Sequence, residues 1–221
     1  PVYFLRDGTP NCYFNKAFPT SGFNLVRIFA QISCSTTSFD KPMIDIIKIN
    51  KDLYLRRISH QDAEEVFDLI DKNRTHLGSW LPFVETTHTA ENTHAFIDQL
   101  QKPYCREMVF TICHEGAITG LIGFKDIDRA NRRLEIGYWI SKQNEGKGIV
   151  ASSCRVLIEK AFRKMDMNRI QIKCGVGNER SSNIPKRLGF QFEGIERDGE
   201  KHRNRFINLE VFSLLKRDWK G

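Results

Sequence analysis

A chain of 221 residues and 25.7 kDa holds one substantial hydrophobic core and leaves little length for a second. With 40% hydrophobic and 28% charged residues and a mean hydropathy of -0.42, it has a globular composition, and no apolar run nears the ~20 residues that cross a bilayer. The net charge of +7 suits an anionic partner, whether a phosphorylated cofactor, an acidic protein or RNA, without choosing among them.

Six cysteines, at 12, 34, 105, 113, 154 and 174, form no Cys-x-x-Cys pair, and several sit in apolar runs such as "VFTICHEG". They read as buried free thiols of a cytoplasmic protein. Residues 1–42 scatter Pro, Gly, Ser, Thr and Asn among short aromatic pieces with no sustained period, and read as an appended extension to a domain spanning 43–221.

From Met43 the pattern is regular. "LYLRRIS" alternates like a strand, and "SHQDAEEVFDLIDKNRTHL" is a capped helix with Ala63, Val66, Phe67 and Ile70 on one face. "TAENTHAFIDQLQ" is a second helix, "EMVFTICHEGAITGLIGFKDI" two strands joined by a Glu-Gly turn, and "RLEIGYWI" a third strand of that meander. A helix follows over Ile149–Met165, then the strand "RIQIKCGV", a short helix "SSNIPKRLG", and a hairpin of "FQFEGIERDGE" and "RFINLEVFSLL".

Between the third meander strand and the long helix lies "QNEGKGIV", residues 143–150. A glycine-rich turn at a helix N-terminus is an anion site, because main-chain N–H groups converge there at the positive end of the helix dipole. Gly146 to Ala151 also fits the Gly-x-Gly-x-x-Ala dinucleotide fingerprint. That fingerprint expects an acidic residue ending the next strand, where this chain has Lys173, Cys174 and Gly175. A pyrophosphate is required on either reading, which leaves a cofactor such as coenzyme A.

Gln143-Asn144-Glu145-Gly146-Lys147-Gly148 resembles the Gln/Arg-x-x-Gly-x-Gly/Ala loop of the GNAT N-acetyltransferases. With "NRTHLGSWLPF" (73–83), "EIGYWI" (135–140), "NERSSNIPKRLGF" (178–190), "RDGE" (197–200) and "FSLLKRDW" (212–219), the chain is similar in order and spacing to the RimJ/RimL branch. The resemblance implies an α/β fold with a mixed, mostly antiparallel sheet flanked by helices. It implies acetyl-CoA as cosubstrate and a protein N-terminus, notably of a ribosomal protein, as acceptor. It implies no DNA or membrane partner, and allows a homodimer.

Carried over by position, the resemblance makes Trp139, Ile140, the loop Gln143 to Gly148, Ile149 and Asn178 cofactor-binding. Asn73, Arg74, Trp80 and Phe83 then line an acceptor channel. Ser181 would assist the leaving thiolate, or else cap the short helix, as Ser182 could. Glu200 matches the branch's general base, with Glu135 as the rival through a bridging water. The branch often has a tyrosine and an aspartate where this chain has Phe206 and Asn208, which shifts the acid role toward Ser181. The run "KHRNR" (201–205) reads as a solvated hairpin tip able to attract an acidic terminus. His76 and His88 lack metal-ligand spacing, so no metal is assigned. Acetylation of a small amine such as a polyamine or amine antibiotic stands as the rival activity, and a non-catalytic acyl-CoA-binding or RNA-associated module as the rival class.

Overall fold

The computed structural model describes residues 46–221, so the reading of 1–42 as an extension lies outside the described residues. Alternating apolar residues build β1 (Ile46–Lys48), β2 (Leu53–Arg57), β3 (Met108–His114), β4 (Ala117–Asp128) and β5 (Arg133–Ile140). They continue in β6 (Arg169–Gly175), β7 (Gln191–His202) and β8 (Arg205–Leu215). All eight join one sheet in the order β1-β2-β3-β4-β5-β6-β8-β7, and β5 with β6 is its one parallel pair among the described strands.

Each face of the sheet is covered by helices of matching period. On one face α4 (Ile149–Arg163) buries Val150, Cys154, Leu157, Ile158 and Ala161 against Ile122, Ile136, Ile170 and Phe212, with α5 (Glu179–Arg187) beside it. The other face carries α1 (Ala63–Lys72), α2 (Arg74–Leu77) and α3 (Ala90–Leu100), packed through Val66, Ile70, Phe96 and Ile97 on Val109, Leu121 and Trp139. The mixed, mostly antiparallel sheet flanked by helices is the architecture expected from the sequence.

Four details depart from the expectation. The single helix expected over 59–77 is a 3-10 turn (His60–Asp62), α1 and α2, with the break at Asn73. There the backbone leaves helical values (φ -117, ψ 15), and the side chain turns back to donate to the Leu69 carbonyl at 2.9 Å. A further 3-10 turn at Pro82–Glu85 and the short β1 went unread. The last strand pair is longer than expected, since β7 continues to His202.

Candidate active site

The site begins where the sheet fails to stay closed. β5 and β6 pair only over Arg133, Leu134 and Glu135 with Arg169, Ile170 and Gln171, although both strands run on. Beyond Glu135 the strands diverge, and residues 136–140 of β5 pair with β4 alone. A sheet edge of this kind offers backbone N–H and C=O groups to an extended ligand. A cleft of about 960 Å³ fills the gap. It passes through the sheet, lined by Tyr138 and Ile140 from the α4 side and by Trp80, Leu81 and Trp139 from the α2 side.

The floor of the cleft is the turn between β5 and α4. Gly146 and Gly148 both have positive φ (+74 and +75), Gly148 is the N-cap of α4, and no atom lies within 4 Å of where either would carry a Cβ. The glycines therefore serve backbone conformation and leave open room before the first N–H groups of a 15-residue helix, where an anionic pyrophosphate fits. The turn is tied down from several directions. Asn73 Oδ1 accepts the Lys142 N–H at 3.0 Å, and Asn144 donates to Ser141 Oγ and accepts from Lys147 Nζ, each at 3.0 Å. Glu145 is clamped between His76 at 3.3 Å and Arg180 of α5.

Across the cleft, α5 starts one turn earlier than expected. Its N-cap is Asn178, whose Oδ1 accepts the Ser181 N–H at 3.2 Å, so neither Ser181 nor Ser182 is the cap. Ser182 instead hydrogen-bonds the Glu210 carboxylate. Ser181 lines the cleft, and its Oγ lies 3.2 Å from both the Tyr138 hydroxyl and Cys174 Sγ. Burial, with Cys174 and Cys154 close by, holds the Tyr138 phenol well above its ordinary range, and burial likewise raises the Cys174 thiol. Both are therefore neutral donors. With Tyr138 donating to the Ser181 carbonyl at 3.1 Å and Cys174 donating to Ser181 Oγ, the serine proton can go either to the Tyr138 oxygen at 3.2 Å or into the cleft.

Two carboxylates stand on the α2 side of the gap in contrasting settings. Glu135 is buried and forms an ion pair with Lys125 at 2.8 Å, its cross-strand neighbour on β4. Burial works against the Lys125 charge, yet Glu135, with Asp126 and Glu200 further off, holds its ammonium above the ordinary range. Glu200 is half-buried next to the irregular pairing between Glu196 and Glu200. Burial, which outweighs the attraction of Lys125 and Lys173, pushes its carboxyl up to about 7, with Glu135 adding to the rise.

Not every expected residue meets at the cleft. Trp80, Trp139, Ile140, Asn144, Glu145, Gly146, Gly148, Ile149, Asn178 and Ser181 line it, whereas Gln143, Lys147, Glu135, Glu200 and Phe83 do not. Phe83 is core, 6.3 Å from the Trp139 ring. Asn73 and Arg74, expected on the acceptor channel, are instead braces: Arg74 bonds Asp71 and the carbonyls of Val84 and Thr87, and Asn73 holds the Lys142 loop. Tyr138 was missed, although the alternation of "EIGYWI" already sets it on the face opposite Glu135 and Trp139.

Residues 52–191 match the sequence profile of the Acetyltransferase (GNAT) domain. YdaF of Bacillus subtilis (strain 168), whose name provisionally calls it a ribosomal N-acetyltransferase, is 38% identical over 79% of this chain and 97% of its own. The ribosomal-protein-serine acetyltransferase of Escherichia coli (strain K12) is 27% identical over 78% of this chain and 98% of its own. Among solved structures, the Microcin C7 self immunity acetyltransferase MccE in complex with acetyl-CoA and AMP matches at a TM-score of 0.74 and 26% identity, over 78% of this chain and 97% of that one.

Proposed function

Because the chain belongs to the GNAT acetyltransferase family and is an acetyl-CoA-dependent N-acetyltransferase, we propose that its acceptor is the α-amine of a protein N-terminus, a ribosomal protein's in the first instance. The observation that carries this choice over a polyamine is the charge of the cleft. Its lining sets Lys142, Arg180 and Arg187 against Glu145 and Glu179, and Glu145 is already paired with Arg180. A polycation finds no surplus of acid there. The names of YdaF and of the ribosomal-protein-serine acetyltransferase, each matched over nearly its whole length, point the same way.

In this reading the α4 N-terminus and the loop of residues 144–148 hold the pyrophosphate, and the β5 edge at Trp139 and Ile140 holds the pantetheine through main-chain hydrogen bonds. Acetyl-CoA supplies the activated acetyl group. Glu200 takes the proton from the acceptor ammonium, a role suited to a carboxyl raised to about 7, near the working pH. Ser181, oriented by Tyr138 and Cys174, gives its proton toward the leaving thiolate. Glu135 keeps Lys125 neutralised beside that base.

The test is thiol release from acetyl-CoA across peptides beginning Ser, Ala, Thr and Met, with spermidine and simple amines in parallel. Turnover on peptides at least tenfold above that on amines is expected. A preference for spermidine would refute the acceptor reading, and binding of acetyl-CoA without turnover on any amine would favour a non-catalytic module.

A further inference from the structure

The α2-side face of the sheet carries more than the base. Alternation along β7 sets His202 on the same face as Glu200, and the register through β8 and β6 makes this the face of Lys173, Glu135, Lys125 and Trp139. The tip of the hairpin is fastened over it, since Arg203 Nε bonds Glu85 Oε1 of the Pro82–Glu85 turn at 2.8 Å. Of the run read from sequence as a solvated tip, Lys201, Arg203, Asn204 and Arg205 are exposed, but His202 is only 4% exposed.

Two buried side-chain nitrogens on this face, His202 Nε2 and Trp139 Nε1, have no hydrogen-bond partner among the described residues. Trp139 is 3% exposed, and it also lines the cleft. Buried polar atoms are normally paired, and leaving one unpaired is costly enough that a pair of them on one face of the sheet marks a place a ligand completes. Their chemistry narrows the ligand. An indole N–H can only donate, whereas imidazole Nε2 donates or accepts according to tautomer. A protonated polyamine presents donors alone and cannot satisfy Trp139. A peptide N-terminus brings, next to its amine, a carbonyl oxygen that accepts and a second amide that offers both.

We propose that Trp139 Nε1 and His202 Nε2 form a peptide-reading subsite beside Glu200. The indole donates to the carbonyl of the acceptor's first residue, and the imidazole bonds the following peptide group. This rests on the protein N-terminus reading above and deepens it, because it makes the first peptide bond, and not the amine alone, the thing recognised.

The experiment compares a Ser-initiated tetrapeptide with its analogue whose first carbonyl is reduced to methylene, in the wild-type chain, Trp139→Phe and His202→Leu, each checked by thermal melting. The difference in amine basicity between the two acceptors cancels when ratios are compared between proteins. The wild type is expected to favour the intact peptide in kcat/KM by about tenfold to a hundredfold, as for one or two lost hydrogen bonds at a buried site. In Trp139→Phe that ratio should fall to the value set by amine basicity alone, whereas in His202→Leu kcat/KM on the intact peptide should fall by about tenfold, with the ascending limb of the pH profile in place in both. Trp139→Phe keeps an aromatic ring while removing the N–H, and carries the test alone if His202→Leu fails to fold. A ratio preserved in Trp139→Phe, an unchanged kcat/KM on the intact peptide in His202→Leu, or a wild type indifferent to the carbonyl overturns the subsite. So does loss of the pH limb in His202→Leu, which would make His202 the base. A wild type that takes spermidine and no peptide refutes the acceptor reading itself, an outcome distinct from these.

Discussion

Glu200→Gln separates the two carboxylates by three readouts at once. The side chain keeps its shape and loses the proton-accepting charge, so turnover should fall by roughly 10²–10⁴-fold, the usual contribution of a positioned base. The ascending limb near pH 7, where the wild-type carboxyl ionises, should vanish with it. Stability should move the opposite way. A carboxyl held at about 7 when folded and near 4.5 in the open chain favours the fold while protonated. That contribution is complete below about pH 4.5 and is lost as pH rises through about 7. The gap of about 2.5 units, at 1.36 kcal/mol each, puts a penalty of up to about 3 kcal/mol on the wild type at pH 8 that the glutamine variant escapes. Denaturant melts at pH 4 and pH 8 should therefore coincide at the low pH, with the variant more stable at the high one. Glu135→Gln should behave in reverse, because it strands Lys125 against a neutral partner and costs about 3 kcal/mol, with a smaller effect on turnover. Normal turnover in Glu200→Gln, or a pH limb that stays in it and disappears in Glu135→Gln, would refute the reasoning.

Gly146→Val and Gly148→Val place β-branched side chains at positive φ and into the open room before α4, so CoA binding measured by calorimetry should be lost, with a modest fall in melting temperature. Ser181→Ala should lower kcat without shifting the pH limb, and Tyr138→Phe, which frees the serine from its orienting partner, should lower it less; a shifted limb in either would contradict the assigned roles. Removal of residues 1–42 should leave turnover within about tenfold of the full chain, or 1.4 kcal/mol of barrier, in a thiol-release assay.

What could be read beforehand divides according to the reach of the interaction. The strands and the α4 face follow from periods of 2 and 3.6, and the double glycine announces its own function, because each is decided by residues a few positions apart. At the break between α1 and α2, Asn73 bonds the Leu69 carbonyl locally and the Lys142 N–H 69 positions away, and nothing near Asn73 in sequence signals the second bond. Lys125 opposite Glu135 needs the β4–β5 register, which an irregularity between Lys125 and Asp128 offsets from simple counting. The same holds for the hairpin, where the extra residues between Glu196 and Glu200 decide which side chains turn toward the site, so that "KHRNR" looked uniformly solvated. The cleft itself has no local signature, since β5 and β6 separate after three pairs while each strand keeps its alternation. On the α4 side of the opening, Tyr138 from β5 and Cys174 from β6 both meet Ser181 of α5, so the start of that helix bridges the two parted strands. The residue assigned to the leaving thiolate is thereby also the one that ties the two parted strands together at the cleft.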